Sequence, residues 1–380
     1  GKGMRVVRDS SEIENAFALC SGEALKSFGN GEVFIERYVD RPRHIEVQIL
    51  GDGTGSVVHL YDRDCSVQRR HQKVVEVAPA SGLSPTLRQR LFDDAVKLTS
   101  AAGYRAAGTV EYLVEPNSDN YFFIEVNPRV QVEHTVSEVI TGVDIVQSQI
   151  LVCGGAKLEK NLGLTQDKIA TRGYAIQCRV TTEDAAKDFQ PDTGRLQVWR
   201  PAEGFGIRLD VGNAFTGAFI SPYYDSMLMK VTGHALTFND AAKKVARALR
   251  ESRIRGVKTN IPFMLNVLKH PTFISAQATT SFIGDAHKEL FHFPRDASLD
   301  RATKVLAYLA ELAVNGRYAV GAEGPRTPAF DVVMPPPEVE QKPVPPGFKQ
   351  VLEKGGPEAF ARAVRAHKGL LLMDTTWRDA

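Results

Sequence analysis

Cysteine, long hydrophobic runs and excess charge are all scarce in this 380-residue sequence, and each scarcity excludes a class of protein. There are only four cysteines and no Cys-x-x-Cys pair, which argues against a disulfide framework and against a structural zinc site. No run of about 18 apolar residues occurs, so no conventional transmembrane helix is expected. The 47 Lys and Arg residues nearly balance the 45 Asp and Glu residues, which disfavours nucleic acid or an anionic membrane as a partner.

The length of the chain indicates more than one domain. A single hydrophobic core rarely grows beyond roughly 300 residues, so two or three domains are expected. Hydrophobic residues make up 43% of the chain, which is enough to bury a sizeable core. Residues 1–7 show no secretory signal pattern and no methionine at position 1, and we expect the sequence to begin inside a longer protein.

Proline marks the clearest boundary, close to the C-terminus. Eight of the 20 prolines fall within residues 325–346, a composition that favours extended chain and predicts a linker. A helix is predicted after Gly347. Beyond that helix, the apolar run at residues 370–373 predicts the first buried strand of a further domain.

Strands and helices alternate before this linker. Strands are predicted at residues 33–38, 43–50, 56–62, 108–114, 121–126 and 171–180. Helices are predicted from Pro85 to near Gly103 and at residues 144–152, 239–255 and 300–314. The two strands at 108–114 and 121–126 are joined by a loop rich in Asn, Asp, Ser and Pro, which predicts a hairpin.

Five polar residues follow one another at a spacing of two, with mostly valine between them: Glu125, Asn127, Arg129, Gln131 and Glu133. In an extended chain such residues share a face and would line one wall of a site. A solvated strand face is the simpler alternative. Residues 121–124 are nearly all apolar, which predicts a buried central strand, and charges that continue such a strand need partners.

Glu111 lies on the other strand of the predicted hairpin, where it can face Glu125. Two facing carboxylates repel unless a cation lies between them. Mg²⁺ binds one or two carboxylates together with phosphate oxygens, and Asn127 would complete that ligand set. The neighbouring Arg129 suits a small anion better than a bare metal.

Residues 63–73, which read Arg-Asp-Cys-Ser-Val-Gln-Arg-Arg-His-Gln-Lys, form a basic segment. A surface patch and a nucleic-acid contact are alternatives, but the balanced overall charge favours a loop that holds phosphates or a small oxyanion. His44 and His71 lie in charged strings, where a ribose or phosphate contact is plausible. Gly1–Met4 resembles the end of a glycine-rich phosphate loop, and two glycines in any other turn are the alternative.

Taken together, these strings resemble the ATP-grasp domain of biotin-dependent carboxylases. The resemblance rests on Gly-Lys-Gly-Met-Arg, Pro-Arg-His-Ile-Glu-Val-Gln, the basic segment at 63–73, and Glu-Val-Asn-Pro-Arg-Val-Gln-Val-Glu-His. The C-terminal Met-Asp-Thr-Thr-Trp-Arg-Asp-Ala is similar to the start of the carboxyltransferase domain in the pyruvate carboxylase branch of that family. Another ATP-grasp ligase, and a non-catalytic structural or regulatory piece, are the alternatives.

The resemblance implies an α+β fold class: an ATP-grasp fold, then a biotin carboxylase C-terminal subdomain, then a mostly helical segment with a linker. The implied boundaries are an incomplete ATP-grasp domain at 1–165, the subdomain at 166–290, an allosteric and tetramerisation segment at 291–365 with its linker at 325–346, and a carboxyltransferase start at 366–380.

The resemblance also implies roles for individual residues. Catalytic roles fall on Lys73, Arg129, Glu133 and Arg179. Nucleotide or bicarbonate contacts fall on Lys2, Met4, Glu36, Arg37, Val39, His44, Gln68, His71, Gln131 and Val132. Metal binding falls on Glu111, Glu125, Asn127 and, in the carboxyltransferase part, Asp379. Effector binding falls on Arg253, Arg255 and Arg301.

The implied reaction is a ligase half-reaction in which ATP and bicarbonate carboxylate biotin, as the first step from pyruvate to oxaloacetate. The implied cofactors are ATP, Mg²⁺, bicarbonate and a biotin on a carrier domain outside this chain, with Mn²⁺ or Zn²⁺ in the carboxyltransferase domain. The implied assembly is a homotetramer activated by acetyl coenzyme A, without nucleic acid or membrane. The expected compartment is the cytoplasm or the mitochondrial matrix, and the fragment alone is expected to be inactive.

Overall fold

The computed structural model describes residues 3–293, 301–315 and 347–373, and these form a mixed helix and strand structure. Two compact units separate after Phe291. The predicted linker at 325–346, the carboxyltransferase start beyond residue 373, and the Lys2 and Asp379 positions lie outside the described residues.

The strands all belong to the first unit. They are β1 (Arg43–Asp52), β2 (Val57–Arg69), β3 (Gln72–Ala78), β4 (Arg105–Val114), β5 (Tyr121–Asn127), β6 (Tyr174–Thr181), β7 (Glu183–Asp184), β8 (Gln190–Pro191), β9 (Gly194–Arg195), β10 (Val198–Arg200), β11 (Ile207–Val211), β12 (Phe219–Ile220), β13 (Met227–Ala235) and β14 (Arg253–Arg255).

Helices occur in both units. Those of the first unit are α1 (Ile13–Phe28), α2 (Pro85–Ala101), α3 (His134–Thr141), α4 (Ile145–Cys153), α5 (Leu158–Leu162), α6 (Phe238–Glu251), α7 (Ile261–Lys269), α8 (Pro271–Ile274), α9 (Phe282–Asp285) and α10 (His287–Leu290). Those of the second unit are α11 (Arg301–Asn315) and α12 (Phe348–Ala366), and α12 is interrupted at Gly356, where φ is 71°.

An eight-stranded antiparallel sheet organises the first unit, in the order β11-β13-β6-β3-β2-β1-β4-β5. Along β1, successive side chains point to opposite faces of the sheet. Ile45, Val47 and Ile49 therefore pack on one face, in a core that includes Leu87 and Leu91 of α2. The intervening Glu46 and Gln48 point to the other face, where buried polar side chains lie beside a second apolar cluster that includes Leu50 of β1 and Ile145 of α4.

Helix α2 shows how local sequence fixes one wall of the apolar core. The Ser84 hydroxyl accepts a hydrogen bond from the Leu87 amide, and Pro85 occupies the first turn, where no backbone donor is required. Leu87, Leu91 and Ala95 recur at intervals of four, and all are buried against the sheet. The predicted helix start at Pro85 is confirmed, as are the predicted strands at 43–50, 108–114 and 121–126.

Several element predictions were wrong, and each error has a physical reason. Residues 33–38 are irregular, with Phe34 81% exposed, because no neighbouring strand pairs with them. Strand β5 lies at the edge of the sheet, and Phe123 is 53% exposed, so the apolar run did not mark a central buried strand. The predicted helix at 239–255 ends at Glu251, and the last three residues instead form β14, which pairs with β10.

The second unit confirms its two predicted helices but not the predicted strand after them. Residues 371–373 are irregular, and Met373 is 85% exposed, so no buried strand begins within the described part of this segment. No element was predicted at the positions of α1, α3, β3 or β13. Among the described helices none is long and apolar enough to cross a bilayer alone; α3 and α4 reach that length only as a pair bent by 97°.

Candidate active site

A group of charged side chains lies on the polar face of the sheet, and Lys73 is at its centre. The Lys73 ammonium donates hydrogen bonds to Glu46 Oε2 (2.5 Å), Glu111 Oε1 (2.9 Å) and Glu133 Oε1 (2.6 Å). Three sheet strands and the residue before α3 therefore meet at one nitrogen atom. We call the whole group the ionic cluster; its members are Glu46, Arg63, Lys73, Glu76, Glu111, Glu133 and Arg179.

The register of the sheet explains why the carboxylates converge. Glu46 on β1 lies directly opposite Glu111 on β4, and directly opposite Arg63 on β2. Like charges that face each other across a ladder repel, so Glu46 and Glu111 need a cation between them. Lys73 supplies it, since its ammonium contacts both carboxylates.

Arg63 is completely buried, and all its donors are used. Its guanidinium has five N–H groups, and it meets five acceptor atoms at 2.6 to 3.1 Å. Those acceptors are Glu46 Oε1, Gln48 Oε1, Ser137 Oγ, Thr109 Oγ1 and Gln131 Oε1. Arg63 therefore holds two strands, α3 and the segment before it in a fixed relation behind Lys73.

Arg179 on β6 is the third cation of the cluster, and it joins two carboxylates. Its Nε donates to Glu76 Oε1 (2.5 Å), and its Nη2 donates to Glu133 Oε2 (3.0 Å). Gln177, two residues earlier on the same strand, donates to the other oxygen of Glu76 (2.9 Å). Each oxygen of Glu133 therefore accepts a hydrogen bond from a different cation, Lys73 or Arg179.

Neighbouring charges decide which protonation state of Lys73 and of Glu46 is stable. Burial by itself would lower the pKa of Lys73, but Glu46, then Cys65 and Glu133, outweigh burial and raise that pKa. Burial would raise the pKa of Glu46, but Arg63 and Lys73 outweigh it and lower that pKa to about 2. Both groups are therefore charged at neutral pH.

The pKa values of Glu111 and Glu76 are shifted in opposite directions by their surroundings. Burial would raise the pKa of Glu111, but the hydrogen bond from His44 and the charge of Lys73 lower it below the usual range of a carboxyl group. Burial raises the pKa of Glu76; Arg179 opposes this effect and Glu133 adds to it. The cluster therefore combines a strongly acidic carboxyl group at Glu111 with one at Glu76 that takes up a proton more readily.

The segment predicted to form one extended wall does so only in part. Strand β5 ends at Asn127, Pro128 follows, and α3 begins at His134, so residues 128–133 leave the sheet. The polar side chains nevertheless converge. Gln131 Nε2 donates to Glu111 Oε1 (2.8 Å), and Asn127 Nδ2 donates to the same oxygen (3.1 Å). The structure thus brings these side chains together, although the backbone between them is irregular, and their role in a site stays a prediction.

The predicted facing pair, Glu111 and Glu125, is present in the register of β4 and β5. Asn127 Nδ2 lies between them, 3.1 Å from Glu111 Oε1 and 3.2 Å from Glu125 Oε1. Two carboxylates with a side-chain amide between them are a donor set that suits a hard divalent cation, because the amide can present its oxygen after rotation. Arg129 is exposed beside this group, with Nη2 3.4 Å from Asn127 Oδ1.

Only some of the predicted nucleotide and bicarbonate contacts lie next to the ionic cluster. His44 and Gln68 adjoin the ionic cluster: His44 Nε2 lies 2.9 Å from Glu111 Oε2, and His44 Nδ1 lies 2.6 Å from Gln68 Nε2. His71 is exposed at the turn between β2 and β3, where its φ is 64°. The backbone carbonyl of Val132 accepts a hydrogen bond from Lys230 (3.2 Å).

The remaining predicted contacts lie in irregular chain. Met4 and Glu36 are exposed, whereas Val39 is buried. Arg37 pairs with Glu115 at 2.8 Å, and its guanidinium lies 4.7 Å from the centre of the Phe122 ring. These residues are not brought into contact with the ionic cluster in the described structure.

The predicted effector arginines lie on a strand rather than at a helix end. Arg253 and Arg255 are both exposed on β14, on either side of the buried Ile254. Arg200 of β10 faces Arg253 across the pair. Dipole pairing at a helix C-terminus therefore does not explain these arginines, and the Arg301 side chain lies outside what the structure describes.

The sequence analysis missed three members of the ionic cluster: Glu46, Arg63 and Glu76. Arg63 and Glu46 lie within sequence motifs that drew attention for other residues: Arg63 in the basic segment at 63–73, and Glu46 in Pro-Arg-His-Ile-Glu-Val-Gln. A usable signal was present, because Glu46 and Glu76 each lie between two β-branched apolar residues in a strand, and a carboxylate that is buried there needs a partner.

The fold and the ionic cluster define a biotin-dependent carboxylase, and the chain belongs to that family. Residues 1–161 match the family described as carbamoyl-phosphate synthase L chain, ATP binding domain, and residues 177–285 match the biotin carboxylase C-terminal domain. The predictions of family and fold class are confirmed.

Within that family, its relatives are pyruvate carboxylases. The chain is 56% identical to the pyruvate carboxylase of Aspergillus niger and 54% identical to the mitochondrial pyruvate carboxylase of Mus musculus, in each case over 100% of this chain and 32% of the relative. The chain thus spans about a third of the length of the curated relatives it matches.

Solved structures agree with this assignment. A Rhizobium etli pyruvate carboxylase variant with the allosteric activator acetyl coenzyme A superposes with a TM-score of 0.70 at 47% identity, covering 92% of this chain and 34% of that chain. The biotin carboxylase domain dimer of Hydrogenobacter thermophilus 2-oxoglutarate carboxylase, in complex with MgADP, ADP and bicarbonate, gives 0.72 at 39% identity, covering 77% of this chain and 63% of that chain.

Proposed function

We propose that this chain supplies much of the site at which ATP and bicarbonate carboxylate biotin, the first half-reaction of a pyruvate carboxylase. The observation that carries the proposal is the ionic cluster, in which Lys73 and Arg179 both bond to Glu133. Because the chain spans about a third of its relatives, we place it inside a longer enzyme that adds the biotin carrier and the carboxyltransferase. The boundaries at residues 165, 290 and 365 are part of this proposal.

Bicarbonate is a poor electrophile, and ATP activates it by forming carboxyphosphate. In the proposed step, Glu133 removes the bicarbonate proton, and the freed oxygen attacks the γ-phosphorus of ATP while the bond to ADP breaks. Lys73, Arg129 and Gln131 hold the anion. The two cations bonded to Glu133 orient its carboxylate before substrate arrives, so no reorganisation is needed at that moment.

The donor set of Glu111, Glu125 and Asn127 fits a magnesium ion, which when bound would neutralise charge on the ATP phosphates. The low pKa of Glu111 keeps that ligand ionised at neutral pH. The hydrogen bond between His44 Nε2 and Glu111 Oε2 orients Glu111, and Gln68 in turn contacts the other ring nitrogen of His44.

Biotin must lose a proton from its ureido nitrogen before it can attack the carbon dioxide released from carboxyphosphate, and the phosphate released together with that carbon dioxide can accept the proton. We assign Arg179 to this step, because a cation beside the ureido oxygen stabilises the enolate that forms. Glu76 holds the Arg179 guanidinium at Nε and Glu133 holds it at Nη2, while no hydrogen bond to Nη1 is found among the described residues. The adenine and phosphate contacts assigned to Lys2, Met4, Glu36, Arg37, Val39 and His71 complete the proposed nucleotide site.

The test is a comparison of Glu133→Gln with Glu159→Gln in the full-length carboxylase. Glu159 is exposed on α5, remote in sequence from every cluster member, and serves as the matched control. We expect Glu133→Gln to lose bicarbonate-dependent ATP cleavage by about a hundredfold or more, since a general base is lost, while the control keeps it. Near-normal cleavage in Glu133→Gln would show that another group takes the proton.

We also propose that acetyl coenzyme A binds at β14 and that the whole enzyme is a homotetramer. Arg253 and Arg200 face each other, and like charges across a ladder favour an anionic partner such as a phosphate. Arg255→Ala should raise the activating concentration of acetyl coenzyme A about tenfold, the effect of losing one charge-assisted hydrogen bond. An unchanged activation curve would remove Arg255 from the effector site.

A further inference from the structure

The turn between β2 and β3 has an unusual backbone. Arg69 pairs with Gln72, so only Arg70 and His71 form the turn. Both have positive φ, 50° and 64°. Two-residue hairpin turns of this kind prefer Asn and Gly, because other side chains are strained in the left-handed region. A strained pair of this type persists only where its surroundings hold it.

A second left-handed pair lies against this turn. Asp188 and Phe189 have φ of 53° and 59°. Arg69 Nη2 donates to both the backbone carbonyl and Oδ1 of Asp188, at 2.7 Å each, and Arg70 Nη2 donates to Oδ2 at 2.8 Å. One aspartate, 118 residues away in sequence from Arg70, thus binds the side chains of two consecutive arginines at the turn.

Phe189 anchors this contact in the apolar interior. The Arg69 guanidinium lies 4.1 Å from the centre of the Phe189 ring. Phe189 is buried, and its ring centre lies 5.0 Å from that of Phe263 on α7. Asp188 itself is largely exposed, with 72% of its side chain accessible. The turn is therefore attached to a rigid part of the fold through a residue that can be changed without opening the core.

We propose that Asp188 is a positioning residue that holds the Arg70-His71 turn in place for nucleotide binding. The inference rests on the proposed function, in which His71 contacts the nucleotide and Lys73, two residues further, contacts bicarbonate. Asp188 touches neither substrate. It acts through Arg69 and Arg70, and its carboxylate forms ion pairs with both. Because both arginines are paired with Asp188, they do not compete with His71 for the phosphates that His71 is assigned to bind.

The test uses the full-length carboxylase with three changes at one position: Asp188→Ala, Asp188→Asn and Asp188→Glu. Asp188→Ala should raise the KM for ATP about fivefold and change kcat less than about twofold, a shift in keeping with the loss of a small surface ion-pair network. Asp188→Asn keeps the shape without the charge and should lie between Asp188→Ala and wild type, and Asp188→Glu should restore most of the affinity. Asp93→Asn is the matched control, since Asp93 is exposed on α2 and bonds only to Gln89 among the hydrogen bonds described for it.

Hydrogen exchange at residues 69–73 gives a second measurement that does not depend on activity. In Asp188→Ala we expect these amides to exchange faster, with no change in the rest of the sheet. Unchanged exchange and unchanged KM in Asp188→Ala would overturn the proposal. An equal loss of kcat and of thermal stability across the whole protein would also overturn it, because that result indicates a general structural role.

A His71→Ala variant separates this inference from the proposed function. If His71→Ala leaves the KM for ATP unchanged, the assigned nucleotide contact of His71 is wrong, and the role of Asp188 is then decided by hydrogen exchange alone. If His71→Ala raises the KM but Asp188→Ala does not, the proposed function stands and the positioning role of Asp188 is refuted.

Discussion

The ionic cluster and the exposed residues around it differ in how their geometry is fixed. In the cluster, every charged group is mostly buried and bonds to at least one partner, and Lys73 and Arg63 bond to several. The exposed residues have few protein contacts and face solvent; they are Met4, Glu36, His71, Glu125 and Arg129, which we call the rim. The side chains of the cluster are thus fixed by the fold, whereas those of the rim are not, and under the proposed function the rim would take its final geometry from the substrates.

Charge balance adds a second difference. The cluster holds four carboxylates and only three cations, Arg63, Lys73 and Arg179. Burial raises the pKa of Glu76, which favours its neutral form and so relieves part of that excess. The proposed magnesium site lies where cluster and rim meet, at Glu111 and Glu125.

The largest effect that tests this comparison is expected for Lys73→Met. The variant leaves Glu46, Glu111 and Glu133 close together without their shared cation. Removal of one partner from a buried ion pair typically costs about 3 to 5 kcal/mol, so the free energy of unfolding should fall by that amount. We expect ATP cleavage to fall by about a thousandfold, because the bicarbonate-binding cation is also lost. Urea unfolding and steady-state kinetics would measure the two effects.

The control for this experiment is Lys243→Met on α6. The Lys243 side chain is 79% exposed and pairs with Asp240 three residues earlier. An exposed pair of this kind contributes little, so stability should change by less than about 1 kcal/mol. If Lys73→Met were equally mild, the cluster would not be the arranged part of the site, and the comparison with the rim would fail.

A smaller and more selective effect is expected for Arg179→Gln. Biotin-dependent carboxybiotin formation should fall by about a hundredfold, the usual loss when one stabilising donor is removed. Bicarbonate-dependent ATP cleavage without biotin should fall by less than about tenfold, because Lys73 still holds Glu133. Arg195→Gln, which removes a single exposed hydrogen bond to the Gly217 carbonyl, is the control. Equal losses in the two assays would assign Arg179 to the nucleotide or to the fold.

The sequence grouped residues of one hairpin and its continuation better than residues of distant strands. Glu111, Glu125, Asn127 and Gln131 were predicted to lie together, and the structure places them close to one another, because a period of two and a hairpin loop place side chains on one face without knowledge of the rest of the fold. Arg63 and Glu76 were not found, since their partners are far away in the chain: Arg63 bonds to Ser137, and Glu76 bonds to Arg179.

The order of the sheet strands was also beyond prediction. Strand β3 lies between β2 and β6, and this placement alone brings Lys73 near Arg179 through Glu133. A single sequence holds no signal for such a pairing, because β6 follows β3 by almost a hundred residues. The assigned roles of the site residues came from the resemblance, and they stay predictions until they are measured.

A rim residue should affect function without affecting stability, and Glu125→Gln tests this. Glu125 is exposed, and its hydrogen bond from Asn127 can be kept by glutamine. We expect magnesium-dependent ATP cleavage to fall by about tenfold or more, and the magnesium concentration for half-maximal rate to rise, because one anionic ligand is lost. Urea unfolding should match wild type within about 0.5 kcal/mol. Normal ATP cleavage with normal magnesium dependence would remove Glu125 from the metal site.

The smallest expected effect concerns the pH dependence of unfolding. It distinguishes two buried carboxyl groups of the cluster, because their pKa values are shifted in opposite directions. The pKa of Glu46 falls to about 2 in the folded protein, below its ordinary 4.5. Its stabilising contribution is therefore complete above pH 4.5 and is lost as the pH falls from 4.5 towards 2. Burial raises the pKa of Glu76, so its contribution is complete below pH 4.5 and is lost as the pH rises through the folded value.

Glu46→Gln and Glu76→Gln should consequently change the pH dependence in opposite ways. Between pH 4.5 and 3.5, wild type should lose about 1 kcal/mol more stability than Glu46→Gln, which lacks the titrating group. Between pH 4.5 and 6, Glu76→Gln should gain more stability than wild type, because the group that opposes the gain is absent. The slope of the free energy of unfolding against pH, from urea titrations of all three proteins, measures both effects. If both variants shift the slope in the same direction, the charges of Arg63 and Lys73 do not control Glu46 as the structure indicates, and the arrangement of the cluster would have to come from packing alone.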